Sequence, residues 1–279
     1  MSTAPAARIT GPSALGGSPR RFLYLAGTLA VTEFKLRFFG SVLGYVWQLV
    51  RPLMLFGVLY FVFTKFVKIG EAVPHYPVLL LANIVLYTFF ADGTGAVSSM
   101  VDREGLVRKI QFPRMAVPVS VVLTASFNLV LNLLVVLGFA LASGVEPRWS
   151  WLEAPVLISL LAVLVVGLAM LLSALYVRFR DIKPIWEVAL QVAFYATPII
   201  YAIETIDVSQ RVRELIMLSP LAAILQQFRH AVIDPSAPSA AAAAGGSARL
   251  LIPAALVFGI AALGFWYFDR EAPRMAEDL

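Results

Sequence analysis

The sequence predicts an all-α polytopic membrane protein with six transmembrane helices and with both termini in the cytosol. Of its 279 residues, 60% are hydrophobic and only 14% are charged, and the mean hydropathy is +0.83. Soluble globular chains contain roughly 45–50% apolar residues. The apolar residues form runs that are long enough to cross a hydrocarbon core of ~30 Å. Lys and Arg gather in alternate connections between these runs, which predicts that those connections are cytosolic.

The N-terminal region divides into a tail and an amphipathic helix. Residues 1–19 are rich in Ala, Pro, Gly and Ser and lack an apolar core, so they predict a disordered cytosolic tail. In residues 20–39, polar side chains repeat along one helical stripe, while Leu23, Ala26, Ala30 and Phe34 share the opposite one. Basic residues accompany this helix. We therefore expect an interfacial helix that lies in the plane of the membrane.

Residues 20–268 are predicted to form one transmembrane domain with six spans and one pair of half-helices. The spans cover residues 42–64, 76–98, 117–143, 151–177, 185–201 and 250–268. Between the last two, residues 208–233 show helical spacing on both sides of Ser219-Pro220, which predicts two external half-helices that re-enter the outer leaflet. Residues 269–279 form a second cytosolic tail. In this topology most of the 22 Lys and Arg residues lie inside.

A short charged segment, residues 101–111, separates the second span from the third. Asp102 is placed to cap the start of a helix, and Pro113 ends helical geometry at Phe112. We expect this helix at the membrane surface. Its basic side chains, expected in water, are Arg103, Arg108, Lys109 and Arg114. Two interpretations are open at this point: a cytosolic loop that follows the positive-inside rule, or a site where a cytosolic partner pushes on the flanking spans.

Polar residues inside the predicted spans each allow two interpretations. Arg51 either extends toward the cytosolic face or contacts an anionic ligand. Asp92 is either a proton or substrate site, or a partner-bonded carboxylate at a helix break. The third span carries Thr124, Asn128 and Asn132 at four-residue spacing, and such stripes either join helices or line a substrate path.

Aromatic side chains form faces on three of the predicted spans. They are Phe56, Tyr60 and Phe63 on the first, Tyr87 and Phe90 on the second, and Phe194 and Tyr195 on the fifth. Aromatic faces contact sugar rings through apolar surface and without charge, which suits a lining along which a glycan slides. The same rings also suit helix packing or a lipid-facing belt, so both interpretations are open.

The sequence lacks the motifs that are typical of several classes of binding site and enzyme. The chain has no Cys and only 2 His, so we expect no disulfide and no metal site. It has no G-x-x-x-x-G-K-[ST] loop for ATP, and the motifs of zinc proteases and serine hydrolases are also missing. The net charge of +5 follows the predicted topology, so we expect no nucleic-acid partner. The sequence therefore predicts a chain that is not an enzyme and binds no cofactor.

Five short motifs follow one another along the chain between about Arg20 and Arg274. They are Lys35-x-Arg37 with GSVLGYVW at 40–47, LVRKIQFPR at 106–114, RFRDI at 178–182, TPIIY at 197–201, and Ser219-Pro220-Leu221 leading to Phe228-Arg229. Each motif is weak alone. In this order they resemble the type-2 ABC exporter permeases that move lipid-linked polysaccharides, among them O-antigen, capsule, teichoic acid and galactan exporters.

The resemblance implies a homodimer of six-span subunits in the plasma (inner) membrane. Each subunit would sit on one copy of a separate ATPase, which holds ATP and Mg. Residues 101–111 then resemble the coupling helix that contacts the ATPase. The coupling residues would be Asp102, Arg103, Glu104, Arg108, Lys109, Phe112 and Pro113. The aromatic faces resemble the lining of a glycan channel, and the half-helices resemble the cover of its external mouth.

The same resemblance implies a cytosolic entrance to the channel. Its residues would be Arg37, Arg51, Arg178, Arg180 and Asp181. Arg51 departs from the family pattern, because a small polar residue such as Asn is expected before Pro52. Contact of Arg51 with a lipid diphosphate is therefore a hypothesis.

Two alternatives to polysaccharide export stay open. A type-2 ABC exporter of small drugs or lipids would share the predicted topology. A membrane-embedded glycan transferase is less favoured, because the sequence shows no constellation of carboxylates and His.

Overall fold

The computed structural model describes residues 18–38, 44, 46–68, 73–105 and 113–275, and every regular element within these ranges is helical. In chain order the helices are α1 (Pro19–Phe38), α2 (Val46–Phe61), α3 (Tyr76–Thr94), α4 (Ser99–Asp102), α5 (Ala116–Ala142), α6 (Glu153–Arg178), α7 (Ile182–Ala196), α8 (Gln210–Met217), α9 (Pro220–Phe228), α10 (Ala240–Ala243) and α11 (Leu251–Glu271). Short π-helical turns, Val62–Phe66 and Arg229–Ile233, extend α2 and α9. The 3₁₀ turns are Gly95–Ser98, Trp149–Leu152 and Ser247–Leu250.

Five helical segments are long and apolar enough to cross a membrane. They are Val46–Phe66, Tyr76–Asp102, Ala116–Ala142, Trp149–Arg178 and Ser247–Glu271. A sixth arises if α8 and the helix Pro220–Ile233, which meet at 98°, are taken as one bent span. The predicted all-α membrane fold is therefore confirmed. The side of the membrane on which each terminus lies stays a prediction, and residues 1–17 and 276–279 of the predicted tails lie outside the described residues.

The fifth predicted span, residues 185–201, has a shorter helix in the structure. Helix α7 has 15 residues, which at 1.5 Å per residue cover only about 22 Å of a ~30 Å core. It stops at Ala196 because Thr197 precedes Pro198 and adopts extended geometry, with φ −90° and ψ 145°. α7 is thus not among the five candidate spans, and an irregular segment, 197–209, leads to α8.

The first part of this irregular segment is buried against α3, which supplies its hydrogen bonds. Asn83 Nδ2 donates to the carbonyl oxygens of Pro198 (2.9 Å) and Ile199 (3.2 Å), and the Tyr76 hydroxyl donates to that of Ile200 (2.8 Å). Non-helical backbone is tolerated at membrane depth only where protein groups or a water-filled cavity satisfy it. α3 therefore stabilises the break that follows α7.

Helices α6 and α11 approach each other so closely that their backbones touch. A Cβ atom on Gly264 would overlap the carbonyl oxygen of Gly167, and one on Gly167 would lie 2.6 Å from the Cα atom of Ala261. Small residues allow this kind of contact between membrane helices. α11 is held to the bundle by this narrow strip, while most of its other side chains are exposed or half-buried.

The helix predicted over residues 20–39 forms as α1 and packs along α5. Ala26 and Ala30 are fully buried, and the Thr124 hydroxyl donates to the carbonyl oxygen of Ala30 (3.3 Å). Leu23, expected on the same face as Ala26, is instead exposed beside Tyr24. Because the exposed surface of α1 thus contains apolar side chains, it suits contact with lipid, as expected for an in-plane helix.

Candidate functional site

The charged segment after the second span begins as a continuation of that span. α3 tightens into the turn Gly95–Ser98 and continues as α4, of which Asp102 is the last residue. The Asp102 carboxylate accepts a hydrogen bond from Ser98 Oγ (2.8 Å), one turn earlier. The prediction that Asp102 caps the start of a new helix is therefore wrong, because the second span reaches four residues farther than expected.

Of the predicted coupling segment, residues 101–111, the structure describes only 101–105. Arg103 forms a turn, and Glu104 follows in helical geometry. Arg108, Lys109 and Phe112 lie outside the described residues. The helix predicted over 101–111 and its contact with an ATPase stay predictions.

Arg103 joins the end of the second span to two other helices. Its guanidinium forms an ion pair with Glu33 of α1, and its Nη1 donates to Ser120 Oγ of α5 (3.0 Å). Burial lowers the pKa of Arg103 from its ordinary value, although a guanidinium stays protonated. The expectation that Arg103 lies free in water is wrong. The signal that sequence reasoning missed is Glu33, the single acidic residue among the first 70 positions.

Residues that flank the charged segment on both sides belong to one apolar cluster. Met100 and Met115 are almost fully buried, and they belong to the same cluster as Met170 of α6 and Phe268 of α11. Arg114, also expected in water, is only 5% exposed, because the turn into α5 draws it into the bundle together with Pro113. The residues on both sides of the segment are therefore packed against α6 and α11.

The polar stripe of the third span joins helices. Thr124, Asn128 and Asn132 are all buried. Asn132 Nδ2 donates to the carbonyl oxygen of Gln48 (3.4 Å). Pro52, four residues later in α2, has no N–H to offer that oxygen. The geometry therefore favours packing over substrate contact for this stripe.

Arg51 and Asp92 lie on α2 and α3 and are exposed. Asp92 lines a cavity of about 10 Å³ together with Asn128, whose side chain has no hydrogen-bond partner among the described residues. This volume suits one water molecule. The helix break predicted at Asp92 is wrong, because α3 continues through Gly93, where the absence of a Cβ atom admits Val165 of α6.

An aromatic cluster fixes α7 on α3. The Tyr87 hydroxyl donates to the carbonyl oxygen of Leu190, and the Tyr87 ring meets Phe194 edge-on at 5.1 Å. The ring of Trp186 lies 6.2 Å from that of Phe90. Sequence reasoning missed Trp186, because the aromatic faces were assigned span by span and Trp186 meets its partner only in the folded bundle.

Burial divides the seven aromatic residues that were expected to line a channel. Tyr87 and Phe90 are buried, with 9% and 6% exposed, so within one chain they support α7 from behind. Tyr195 and Tyr60 are exposed, by 61% and 36%. The other three are half-buried: Phe56, Phe63 and Phe194. The exposed rings therefore belong to α2 and α7.

The outward face of α7 combines apolar and polar side chains. Its exposed apolar residues are Ile185, Val188, Val192 and Tyr195. Glu187 and Gln191 lie exposed between them. A face with hydrogen-bonding groups beside apolar and aromatic surface suits a ligand that has both hydroxyls and apolar ring faces.

Two exposed cations lie at the end of the fourth span and just after it. Arg178 and Arg180 each lie over a neighbouring aromatic ring, at 5.7 and 5.2 Å from its centroid. Asp181, also exposed, immediately precedes α7. The side chain of Arg37 lies outside the described residues, and no described contact joins Arg178 or Arg180 to Arg51. The predicted entrance is thus described only in part.

At the opposite end of the bundle, a buried ion pair fixes the bent helices. Arg229, 1% exposed, donates two hydrogen bonds to Glu204 (2.9 and 2.6 Å) and lies 3.7 Å from Asp234. Glu204 belongs to the irregular segment after α7, so this pair ties that segment to the end of α9. The half-helices predicted over 208–233 form as α8 and α9 and meet at Ser219-Pro220.

Comparisons with known proteins indicate one transporter family. Residues 24–233 match the family model described as ABC-2 type transporter. The chain is similar to the O-antigen export system permease protein RfbA of Myxococcus xanthus, at 29% identity over 235 residues, which cover 83% of this chain and 90% of the relative. It is also similar to two proteins of that name from Klebsiella pneumoniae, at 27% and 28% identity over 199 residues, which cover 71% of this chain and 75% of each relative.

Proposed function

This chain belongs to the ABC-2 type transporter family, and on that premise we propose that it is the transmembrane permease subunit of an ATP-driven exporter for a lipid-linked polysaccharide. Its relatives named above are O-antigen export permeases. The structural observation that carries the proposal is the outward face of α7, where Glu187 and Gln191 lie among apolar and aromatic side chains. Such a face contacts sugar rings and hydroxyls along its whole length, so a glycan slides past it.

Two copies of the chain enclose the channel. Apolar side chains on α2 and α7 are exposed in one chain, among them Met54 and Val58 of α2, each 62% exposed. A homodimer that brings these faces around one conduit places the rings of Tyr60 and Tyr195 beside the passing glycan. The aromatic cluster behind α7 keeps that wall rigid, because Tyr87 and Phe194 hold α7 against α3.

A separate ATPase supplies the energy, in two copies that bind ATP and Mg, because this chain has no Walker loop of its own. The coupling segment, residues 101–111, contacts that ATPase. Arg103 supports this contact without making it. Its ion pair with Glu33 and its hydrogen bond to Ser120 hold the segment against α1 and α5. Met100 and Met115 then pass the movement to α6 and α11 through the apolar cluster.

The cytosolic entrance recognises the diphosphate of the lipid carrier. Exposed Arg178 ends the fourth span and exposed Arg180 follows it, and Arg51 is exposed on α2. Guanidinium groups form paired hydrogen bonds with phosphate oxygens. In this arrangement both termini are cytosolic, the protein lies in the plasma membrane, and the bent helices α8 and α9 cover the external mouth.

Depletion of the chain in its host tests the class of cargo. We expect the lipid-linked polysaccharide to accumulate in the cytosolic leaflet and to disappear from the cell surface, while its synthesis continues. The measurement is the amount of lipid-linked glycan that is extracted from cells before and after surface digestion, with the wild-type chain restored as control. If the polysaccharide reaches the surface unchanged while a small lipid or drug accumulates, the cargo is a small molecule and the polysaccharide assignment fails.

A further inference from the structure

We propose that a cavity between α8 and the start of α11 binds the head group of an anionic phospholipid. The cavity has a volume of about 440 Å³ and combines basic, acidic and apolar side chains. They are Arg211, Glu214, Leu215, Leu218, Arg249 and Ile252. None of these residues belongs to the channel faces, the entrance or the coupling segment described above. The inference therefore goes beyond the proposed export function.

One wall of the cavity is held in place by several contacts. Arg249 forms an ion pair with Glu214, and its Nη1 also donates to the carbonyl oxygen of Ala244 (3.0 Å). Gly245 has a φ of +78°, and a Cβ atom there would lie 2.7 Å from Oε1 of Glu214. A turn that favours glycine thus packs directly against the Glu214 carboxylate. Arg249 is therefore positioned before any ligand arrives.

The second guanidinium is available for a ligand. Arg211 is exposed, and it makes no hydrogen bond or ion pair with any part of the chain that the structure describes. With Glu214 balancing Arg249, the three charged residues at the cavity carry one net positive charge. A phosphodiester carries one negative charge, and guanidinium groups bind its oxygens through directed hydrogen bonds. The charge of the site thus matches a single phosphodiester.

The apolar surroundings favour a lipid over a soluble anion. Leu215 is 64% exposed on α8, and Leu251 and Ile252 are 71% and 47% exposed at the start of α11. The segment Ser247–Glu271 is long and apolar enough to cross a membrane, so the cavity at its start lies at head-group level. Basic side chains at this level attract anionic lipids. The acyl chain of a lipid would cover the exposed apolar side chains of α11, whereas a free anion would not.

The test is native mass spectrometry of the full-length chain, released from detergent after titration with phosphatidylglycerol or with phosphatidylcholine. We expect the wild-type chain to retain phosphatidylglycerol in preference. Arg211→Gln should weaken that binding about fivefold, while Arg211→Lys should keep most of it. Arg148→Gln removes a cation at the same end of the bundle but outside the cavity, and should bind as the wild type does. Because Arg211 is exposed and its only described interaction is a charge attraction to Glu214, its substitution should change the melting temperature little.

Three results would overturn the lipid site. They are equal retention of phosphatidylcholine and phosphatidylglycerol by the wild-type chain, equal losses in Arg211→Gln and Arg148→Gln, and displacement of the lipid by inorganic phosphate, which would mark a site for soluble anions. None of these measurements depends on transport. Failure of the lipid site would thus leave the export proposal untouched, and failure of export would leave the lipid site intact.

Discussion

Reversal of the charge at Arg103 (Arg103→Glu) is expected to abolish ATP-driven export, and the added change Glu33→Arg is expected to restore much of it. The single change places two carboxylates side by side and removes the donor to Ser120. Hydrogen bonds to charged groups contribute ~1.5–3 kcal/mol, so we expect their loss to release residue 103 from α1 and α5. The measurement is ATP-dependent export together with ATP hydrolysis by the assembled complex.

The pattern of these two activities separates loss of coupling from loss of folding. Arg103→Glu should leave ATP hydrolysis by the complex in place while export stops. Arg274→Glu, which changes an exposed cation next to Met275 of the same apolar cluster, should have a much smaller effect. Unchanged export in Arg103→Glu would contradict the role assigned to this pair. A double variant as inactive as the single one would show that the ion pair itself is not what matters.

Gly264→Leu is expected to prevent the last span from docking. Any Cβ atom at this position would overlap the backbone of Gly167, and a backbone contact has no side chain that can move aside. Overpacking typically costs about 1–3 kcal/mol, and we expect this site to reach or exceed the upper end. Gly259→Leu, on the same helix where no atom lies within 4 Å of an added Cβ, is the matched control.

The stability of both glycine variants is measured by thermal unfolding in detergent and by the yield of folded protein. The structure predicts a large loss of melting temperature and yield for Gly264→Leu and little change for Gly259→Leu. Equal stability of the two variants would contradict the close approach of α6 and α11.

Hydropathy and helical spacing were sufficient to predict the long helices of this chain. The third span was predicted over 117–143 and forms as Ala116–Ala142, and the fourth, predicted over 151–177, forms as Trp149–Arg178. These patterns are local, since each run is apolar over its own length. The bend between α8 and α9 was likewise predictable, because Ser219-Pro220 interrupts the helical spacing at that point.

The features that sequence reasoning missed depend on residues far apart in the chain. The fifth span was predicted to run on to Tyr201. Thr197-Pro198 is a local signal for the end of its helix, but nothing local reveals that Asn83 and Tyr76 satisfy the carbonyl groups that follow. Arg103 was expected in water because its partner, Glu33, lies 70 positions earlier.

Tertiary contacts also decide which of the aromatic residues expected to line the channel are exposed. Tyr87 and Tyr195 carry equal aromatic character in the sequence, and only the packing of α7 on α3 buries one and exposes the other. Local patterns predict which residues are apolar or charged, and tertiary contacts decide which of them a ligand reaches.

The central claim, that this chain supplies the path and a separate ATPase the energy, is tested most directly by uptake into inverted membrane vesicles. Vesicles that carry this chain and its ATPase should take up the lipid-linked polysaccharide when ATP is added. Vesicles that lack either protein should not, and the purified chain alone should hydrolyse no ATP. Two results would contradict this: hydrolysis of ATP by the purified chain alone, or uptake of the polysaccharide by vesicles that lack the chain.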